Sequence, residues 1–214
     1  MRMKAAYLLF ILVVLFSAAA EGRGEGWRPL GLTGGGGMYS PAISAADGKL
    51  MMLNCDMSGH YFSEDGGRNW RMLHCTQVRS NRMCAGAFSP VDRNTAYATH
   101  TYSGRELKRT TDCGKTWETI HTFPAKIHGR VISDRYDAKR LFAASREKLW
   151  MTENSGKTFV SCSGPTGTMS GFYCSPSLPD GGRVFFFSSD KGLWRSRDGR
   201  QYSPCTNGLA SSQI

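Results

Sequence analysis

Apolar positions along the chain fall into short runs that are separated by turns rich in glycine, proline and aspartate. The runs at 84–89, 96–99 and 141–145 combine small, aliphatic and aromatic residues. Runs of this length between turn residues are typical of β-strands, and no stretch beyond residue 20 has a convincing helical period. The runs at 39–44, 84–89, 129–133 and 171–175 are rich in small and apolar residues, as expected for inner strands covered on both faces. The sequence therefore predicts an all-β chain built of many short strands.

One polar turn recurs four times, at 63–70, 110–117, 152–159 and 196–202, and we call the copies boxes 1 to 4. Its hydroxyl and its Asp or Asn can accept backbone N–H groups, its glycine supplies positive φ, and its closing aromatic carries apolar surface into a core. We therefore expect structural roles for the following residues: Ser63, Asp65, Gly67, Trp70, Thr110, Asp112, Gly114, Trp117, Thr152, Asn154, Gly156, Phe159, Ser196, Asp198 and Tyr202.

The closing aromatics of the boxes are 47, 42 and 43 residues apart. Such a period belongs to propeller blades or to helical repeats, and four strand signals per repeat favour blades of a β-propeller. Residues 38–214 hold four such blades and the start of a fifth. An open arc leaves an unpaired edge, so a truncated reading frame and a partial ring that needs a partner both remain open. In either case we expect the closing aromatics to pack between blades.

The pattern S/T-x-D-x-G-x-T-W resembles the Asp-box (bacterial neuraminidase) repeat, closely in boxes 1 and 2 and less so in boxes 3 and 4. Segment 34–61 resembles the first blade of the xyloglucanase-type endoglucanases, which build two seven-bladed propellers and hydrolyse β-glucans with inversion. That resemblance implies that Asp56 is the general base. Ser58 and His60 depart from the family pattern, which has glycine and alanine there. Because the family's acid lies on a second propeller, we expect no hydrolysis by this chain alone.

The order of strands in a blade predicts two faces. Turns between strands one and two, and the boxes between strands three and four, lie on one face; turns between strands two and three lie on the other. Inversion needs two carboxylates about 6.5–9.5 Å apart. The candidates for substrate contact on the face opposite the boxes are Met57, Tyr102, Arg105, Glu147 and Asp190.

Two classes of function remain open. The first is a polysaccharide-degrading enzyme of the xyloglucanase type, of which this chain is an N-terminal part. The second is a non-catalytic propeller that binds glycans or proteins, as sortilin-like domains and photosystem assembly factors do. A sialidase fits less well, because the chain has no Arg-Ile-Pro tripeptide.

Arg2 and Lys4 precede an uncharged apolar stretch at 5–16, and alanines follow at 18–20. This order predicts a secretory signal peptide over 1–20, a lead-in over 21–37, and a secreted or periplasmic protein. An uncleaved anchor is the alternative, although a span needs about 20 apolar residues. We expect no membrane span after cleavage.

Removing Arg2 and Lys4 takes the formal charge from +10 to +8. The basic residues are evenly scattered, so we expect no nucleic-acid partner. A solvated surface, or attraction to an acidic polysaccharide or cell envelope, accounts for the surplus. We also expect a glycan or protein partner, or self-association through an open blade edge.

The seven cysteines contain no C-x-x-C pair, which argues against zinc, and an odd count leaves at least one thiol free or joined to another molecule. We predict an exposed Cys113, a buried Cys84, and neither metal nor cofactor. The four glycines at 34–37 are either a flexible linker or a place, just before the first repeat, where the backbone passes close to the ring centre.

Overall fold

A computed structural model describes residues 36–79, 84–100, 104–127, 130–145, 147–205 and 207. These residues form sixteen strands in four antiparallel four-stranded sheets, and they contain no helix. It follows that no helix in the described ranges is long and apolar enough to cross a membrane. The predicted signal peptide and most of the lead-in lie outside the described residues, as does nearly all of the predicted start of a fifth blade.

Each sheet follows chain order, so consecutive strands are neighbours. Sheet 1 contains β1 (Met38–Ile43), β2 (Met51–Cys55), β3 (His60–Ser63) and β4 (Arg71–Met72). Sheet 2 contains β5 (Gly86–Phe88), β6 (Ala96–His100), β7 (Glu106–Thr110) and β8 (Glu118–Thr122). Sheet 3 contains β9 (Arg130–Ser133), β10 (Leu141–Ala144), β11 (Leu149–Thr152) and β12 (Val160–Ser161). Sheet 4 contains β13 (Met169–Cys174), β14 (Phe185–Ser189), β15 (Gly192–Ser196) and β16 (Ser203–Pro204).

Consecutive sheets pack face to face through three apolar clusters. Phe62 of sheet 1 meets Phe88 of sheet 2 edge to face, with ring centroids 5.7 Å apart. Phe123 of sheet 2 lies 5.1 Å from Trp150 of sheet 3, and Phe142 of sheet 3 lies 5.7 Å from Phe185 of sheet 4. The first strands of sheets 1, 2 and 3 contact one another in series. This is the predicted succession of blades.

The terminal sheets expose side chains that the sequence led us to expect in strands covered on both faces. Ile43 in β1 is 63% exposed and Tyr173 in β13 is 57% exposed, whereas Ala87 and Phe88 in β5 are buried. The physical reason is that sheets 1 and 4 each pack against one neighbouring sheet within the described part of the chain. The prediction of strands covered on both faces is therefore wrong for these two sheets.

The boxes are self-contained turns with the predicted hydrogen bonds. In box 2 the Asp112 Oδ1 accepts the Thr110 hydroxyl at 2.7 Å and the Thr116 amide at 2.9 Å. The Gly114 amide donates to Thr110 Oγ1 at 2.9 Å. Hydrogen bonds from the Thr116 hydroxyl and amide lower the pKa of Asp112 to about 2. Box 4 is one residue shorter but keeps this pattern around Asp198.

The glycine of each later box lies against the preceding sheet. A Cβ on Gly114 would come 2.9 Å from the Phe62 ring, and one on Gly199 would come 3.1 Å from the Met151 sulfur. A Cβ on Gly156 would likewise come 2.5 Å from the end of the Ile120 side chain. All three glycines also have positive φ. The glycine therefore serves both the turn and the packing between sheets.

The packing of the boxes also corrects the prediction for Cys113, which is buried rather than exposed. Its thiol donates to Asn94 Oδ1 at 3.2 Å, and burial raises its pKa. The turn is covered by the neighbouring sheet, so position in a turn did not mean exposure here. Cys84 is buried as predicted.

The closing aromatics pack as expected where a preceding sheet exists. The ring centroid of Phe159 lies 4.9 Å from that of Phe123, which follows β8 of sheet 2. Tyr202 is buried in the cluster between sheets 3 and 4. Trp117 is half-buried against the cluster between sheets 1 and 2, and Trp70 is half-buried too. The tryptophan indoles donate back to the carbonyls of Gly67 and Gly114.

Candidate functional site

Strand order in all four sheets gives the two faces that the sequence predicted. We call the side that carries the boxes the box face. The loop face is the opposite side, formed by the turns between the second and third strands of each sheet and by the connections from one sheet to the next. Among the predicted substrate-contact positions, the described ones, Met57, Arg105, Glu147 and Asp190, belong to the loop face.

Asp56 follows β2 and holds the chain just before β1. Its Oδ1 accepts the Gly37 amide at 2.9 Å, and its own amide donates to the Gly37 carbonyl at 3.3 Å. A Cβ on Gly36 would come 2.5 Å from this carboxylate oxygen. Gly36 therefore allows the backbone to approach the Asp56 side chain closely, while Gly34 and Gly35 lie outside the described residues. Asp56 is half-buried.

The other predicted contact residues near Asp56 differ in their exposure and in their contacts with the rest of the chain. Met57 is 77% exposed. The Arg105 guanidinium donates to the Phe123 carbonyl at 2.6 Å, which ties it to the connection after sheet 2. Tyr102 lies outside the described residues. Met57 is therefore open to a ligand, and Arg105 supports a loop.

His60 is fully buried and does not point toward the loop face. It lies on the same side of β3 as Phe62, which packs against sheet 2. Burial lowers the pKa of His60 to about 4; the Thr99 backbone opposes this shift and the charge of His100 adds to it. The departure from the family pattern at position 60 thus concerns packing between sheets 1 and 2.

Glu147 and Asp190, which the sequence assigned to one face, line a single cavity of about 600 Å³ on the loop face. Both residues are exposed. Asp190 Oδ1 accepts the Thr168 amide at 2.7 Å, which fixes the connection from sheet 3 to sheet 4 against the β14–β15 turn. Gly167 packs under this carboxylate, where a Cβ would come within 2.2 Å of Oδ1.

Trp194 and Lys191 also line the cavity, and neither was among the predicted contact positions. Trp194 is half-buried and packs against the cluster between sheets 3 and 4. Its indole N–H is buried and has no hydrogen-bond partner among the described residues. The sequence offered a signal for it, since Trp194 is the third residue of β15, which begins directly after the turn that carries Asp190 and Lys191.

The cavity therefore combines an indole edge, two carboxylates and an ammonium group. Sugar-binding sites need an apolar surface for the ring and polar groups that fix the hydroxyls, and the cavity supplies both. In the described residues no cluster of three or more His, Cys, Asp or Glu side chains could hold a metal ion. Asp56 belongs to sheet 1 and does not line this cavity.

No protein-family model matches the sequence, and no curated protein matches it. Solved structures do match. The GH74 enzyme of Niastella koreensis aligns with a TM-score of 0.61 at 20% identity, over 81% of this chain and 24% of that one. The GH74 xyloglucanase of Xanthomonas campestris aligns with a TM-score of 0.62 at 20% identity, over 86% and 32%. YCF48 of Cyanidioschyzon merolae aligns with a TM-score of 0.59 at 16% identity, over 87% and 61%.

The matched GH74 enzymes and YCF48 are β-propeller proteins, and this chain has four four-stranded antiparallel sheets in succession. The chain has a β-propeller fold. It spans about a quarter to a third of the GH74 chains and less than two thirds of YCF48. At these identities the likeness establishes the fold of the propeller, and the chemistry must be argued from the site.

Proposed function

We propose that the chain is a glycan-binding Asp-box propeller, related to xyloglucanase-type glycoside hydrolases and exported from the cell. The observation that carries the proposal is the loop-face cavity of about 600 Å³ in which Glu147, Asp190, Lys191 and Trp194 meet. A β-glucan chain has apolar ring faces and a rim of hydroxyls, which suits an indole edge flanked by carboxylates and an ammonium group.

In this proposal the chain binds its glycan without hydrolysing it. Asp190 is engaged by a backbone amide, and Asp56 lies on another sheet and accepts the Gly37 amide. Inverting hydrolysis needs an acid and a base on opposite sides of one glycosidic bond. Asp56 would serve as the base only where a second propeller supplies the acid, as in the family that segment 34–61 resembles.

Affinity electrophoresis in gels that contain xyloglucan or mixed-linkage β-glucan tests the proposal. The wild-type chain should be retarded, and Glu147→Gln and Lys191→Ala should each lower the affinity by roughly tenfold, about 1.4 kcal/mol. Lys115→Ala on the box face is the matched control, because Lys115 is exposed and outside the cavity. Equal retardation of all variants, or none for the wild type, would contradict glycan binding at this cavity.

A second function, recognition of a peptide, is favoured by one comparison. YCF48 is covered over a larger share of its length than the GH74 enzymes are, 61% against 24–32%, and a further solved structure is YCF48 bound to a D1 peptide. Fluorescence anisotropy with acidic peptides would test this alternative, since the chain is basic. The peptide-binding alternative would be favoured if the chain binds the peptide, if oligosaccharides do not compete for that binding, and if the gels show no retardation.

A further inference from the structure

The three interfaces between neighbouring sheets share one arrangement. In each, the glycine of the later box packs on a side chain of the preceding sheet. That side chain stands just before the preceding box in two interfaces, as Phe62 does for Gly114, whereas Gly156 packs on Ile120 of β8. A polar contact often accompanies it: the Arg71 guanidinium donates to the Cys113 and Gly114 carbonyls at 3.2 and 3.1 Å. Each interface thus has a receiving surface on one sheet and a box on the next.

Sheet 4 carries a receiving surface that no described residue of this chain fills. Arg195 stands just before box 4, at the position that Phe62 occupies in sheet 1, and Ser203 pairs with it across β15 and β16. Together with neighbouring residues of box 4 they line an open groove of about 670 Å³. On the same side of the sheet, Tyr173 is 57% exposed.

Sheet 1 carries the complementary half. Box 1 has the hydrogen bonds of the other boxes, with Ser63 Oγ accepting the Gly67 amide at 2.9 Å. The side of sheet 1 that faces away from sheet 2 is apolar, and its Ile43 and Met72 are 63% and 54% exposed. One chain therefore exposes two surfaces, on sheet 4 and on sheet 1, that correspond to the two sides of each of its three internal sheet–sheet interfaces.

We propose that sheet 4 of one chain receives sheet 1 of a second copy, in the same arrangement as its internal interfaces. Two such contacts, related by a twofold axis, would join the four described sheets of one copy to those of the other in a closed ring of eight sheets. Propellers hold about four to eight blades, and a head-to-tail contact closes when the rotation per unit allows it. The continuity with three existing interfaces is what selects a second copy as the occupant.

The charges predict that this contact is weak. In the interface between sheets 3 and 4, Glu153 at the second position of box 3 pairs with Arg200, which follows the box 4 glycine. The corresponding pair between two copies is Arg197 with Arg68, which follows the box 1 glycine. Like charges facing each other oppose association. Reversing one of them should therefore strengthen the dimer.

Sedimentation equilibrium of the full chain provides the test, with circular dichroism to confirm folding of each variant. Wild type should show a reversible dimer of twice 23.6 kDa. Arg68→Glu and Arg197→Glu should each tighten it by roughly tenfold, and the double variant should lose the gain because the charges are then alike again. Lys115→Glu is the control for net charge, and Met72→Arg should disrupt the dimer.

A wild type and an Arg68→Glu variant that both remain monomeric would overturn the proposal. So would a dimer that responds equally to Arg68→Glu and Lys115→Glu, because net charge alone would then explain it. An open-ended polymer would overturn closure into an eight-bladed ring. None of these readouts depends on glycan binding.

Discussion

The box face and the loop face of this propeller use polar groups in opposite ways. On the box face, charged side chains join neighbouring sheets: Arg183 makes two hydrogen bonds of 2.6 Å to Asp134, and Glu153 bridges Arg140 and Arg200. On the loop face, Asp56 and Asp190 bind backbone amides, and Glu147 remains exposed. The comparison indicates that the box face fastens the blades, which leaves the loop face free to bind.

Replacing Asp134, which is fully buried between sheets 3 and 4, should cause the largest loss of unfolding free energy. Burial raises its pKa, but the hydrogen bonds and charge of Arg183 outweigh burial, so the pKa is lowered. Asp134→Ala leaves Arg183 without its partner and should cost about 3–5 kcal/mol of unfolding free energy, measured by urea denaturation.

The control for Asp134 is Asp180→Ala, which removes an exposed ion pair to Arg197 of 3.4 Å. Exposed pairs contribute about 0–1 kcal/mol, so this variant should unfold almost like wild type. Similar losses in the two variants would contradict the view that buried pairs on the box face hold the sheets together.

The second largest effect is a loss of stability at low pH that depends on His60. Its pKa is about 4 in the folded chain, against about 6.5 for histidine in an unfolded chain. Between pH 6.5 and about pH 4, His60 is protonated in the unfolded chain and neutral in the folded chain. Lowering the pH through this range therefore stabilises the unfolded state, and the free energy of unfolding should fall by about 3 kcal/mol. Thermal melts from pH 7.5 to 4 measure the loss.

His60→Leu should remove most of that loss between pH 6.5 and 4; the remainder belongs to His100 and His121, whose pKa burial also lowers. His74→Gln, at an exposed position, should keep the whole loss. The carboxylates of the boxes cannot produce the same profile. The pKa of Asp65 and of Asp112 is lowered to about 2, so their contribution is present above about pH 4 and is lost below it. A profile that is unchanged in His60→Leu would remove His60 as the cause.

A smaller effect is expected for the box carboxylate. Asp112→Ala removes hydrogen bonds to backbone and hydroxyl groups at an exposed turn, and should cost about 1–2 kcal/mol. Lys115→Ala in the same box should change stability by less than about 0.5 kcal/mol. A neutral Asp112→Ala would mean that the backbone forms the turn without its side-chain acceptor.

The features that the sequence predicts correctly are local. Box hydrogen bonds depend on residues two to four positions apart, and the strands alternate with turns that glycine and aspartate mark. Strand order then places Glu147 and Asp190 on one face. The burial of Cys113 and the pairing of Asp134 with Arg183, 49 positions away, depend on how neighbouring sheets approach, and no local pattern encodes that distance.

The smallest effect, at Asp56, decides whether this residue belongs to the site or to the scaffold. Its carboxylate accepts the Gly37 amide in a half-buried setting, so Asp56→Ala should cost about 0.5–1.5 kcal/mol, less than Asp134→Ala and close to Asp112→Ala. Asp56→Asn keeps an acceptor oxygen and should unfold like wild type. If Asp56 also contacts the glycan, Asp56→Asn should lower retardation in xyloglucan gels while its melting temperature stays constant. Loss of stability in both variants, with unchanged glycan binding in Asp56→Asn, would assign Asp56 to the attachment of β1 alone.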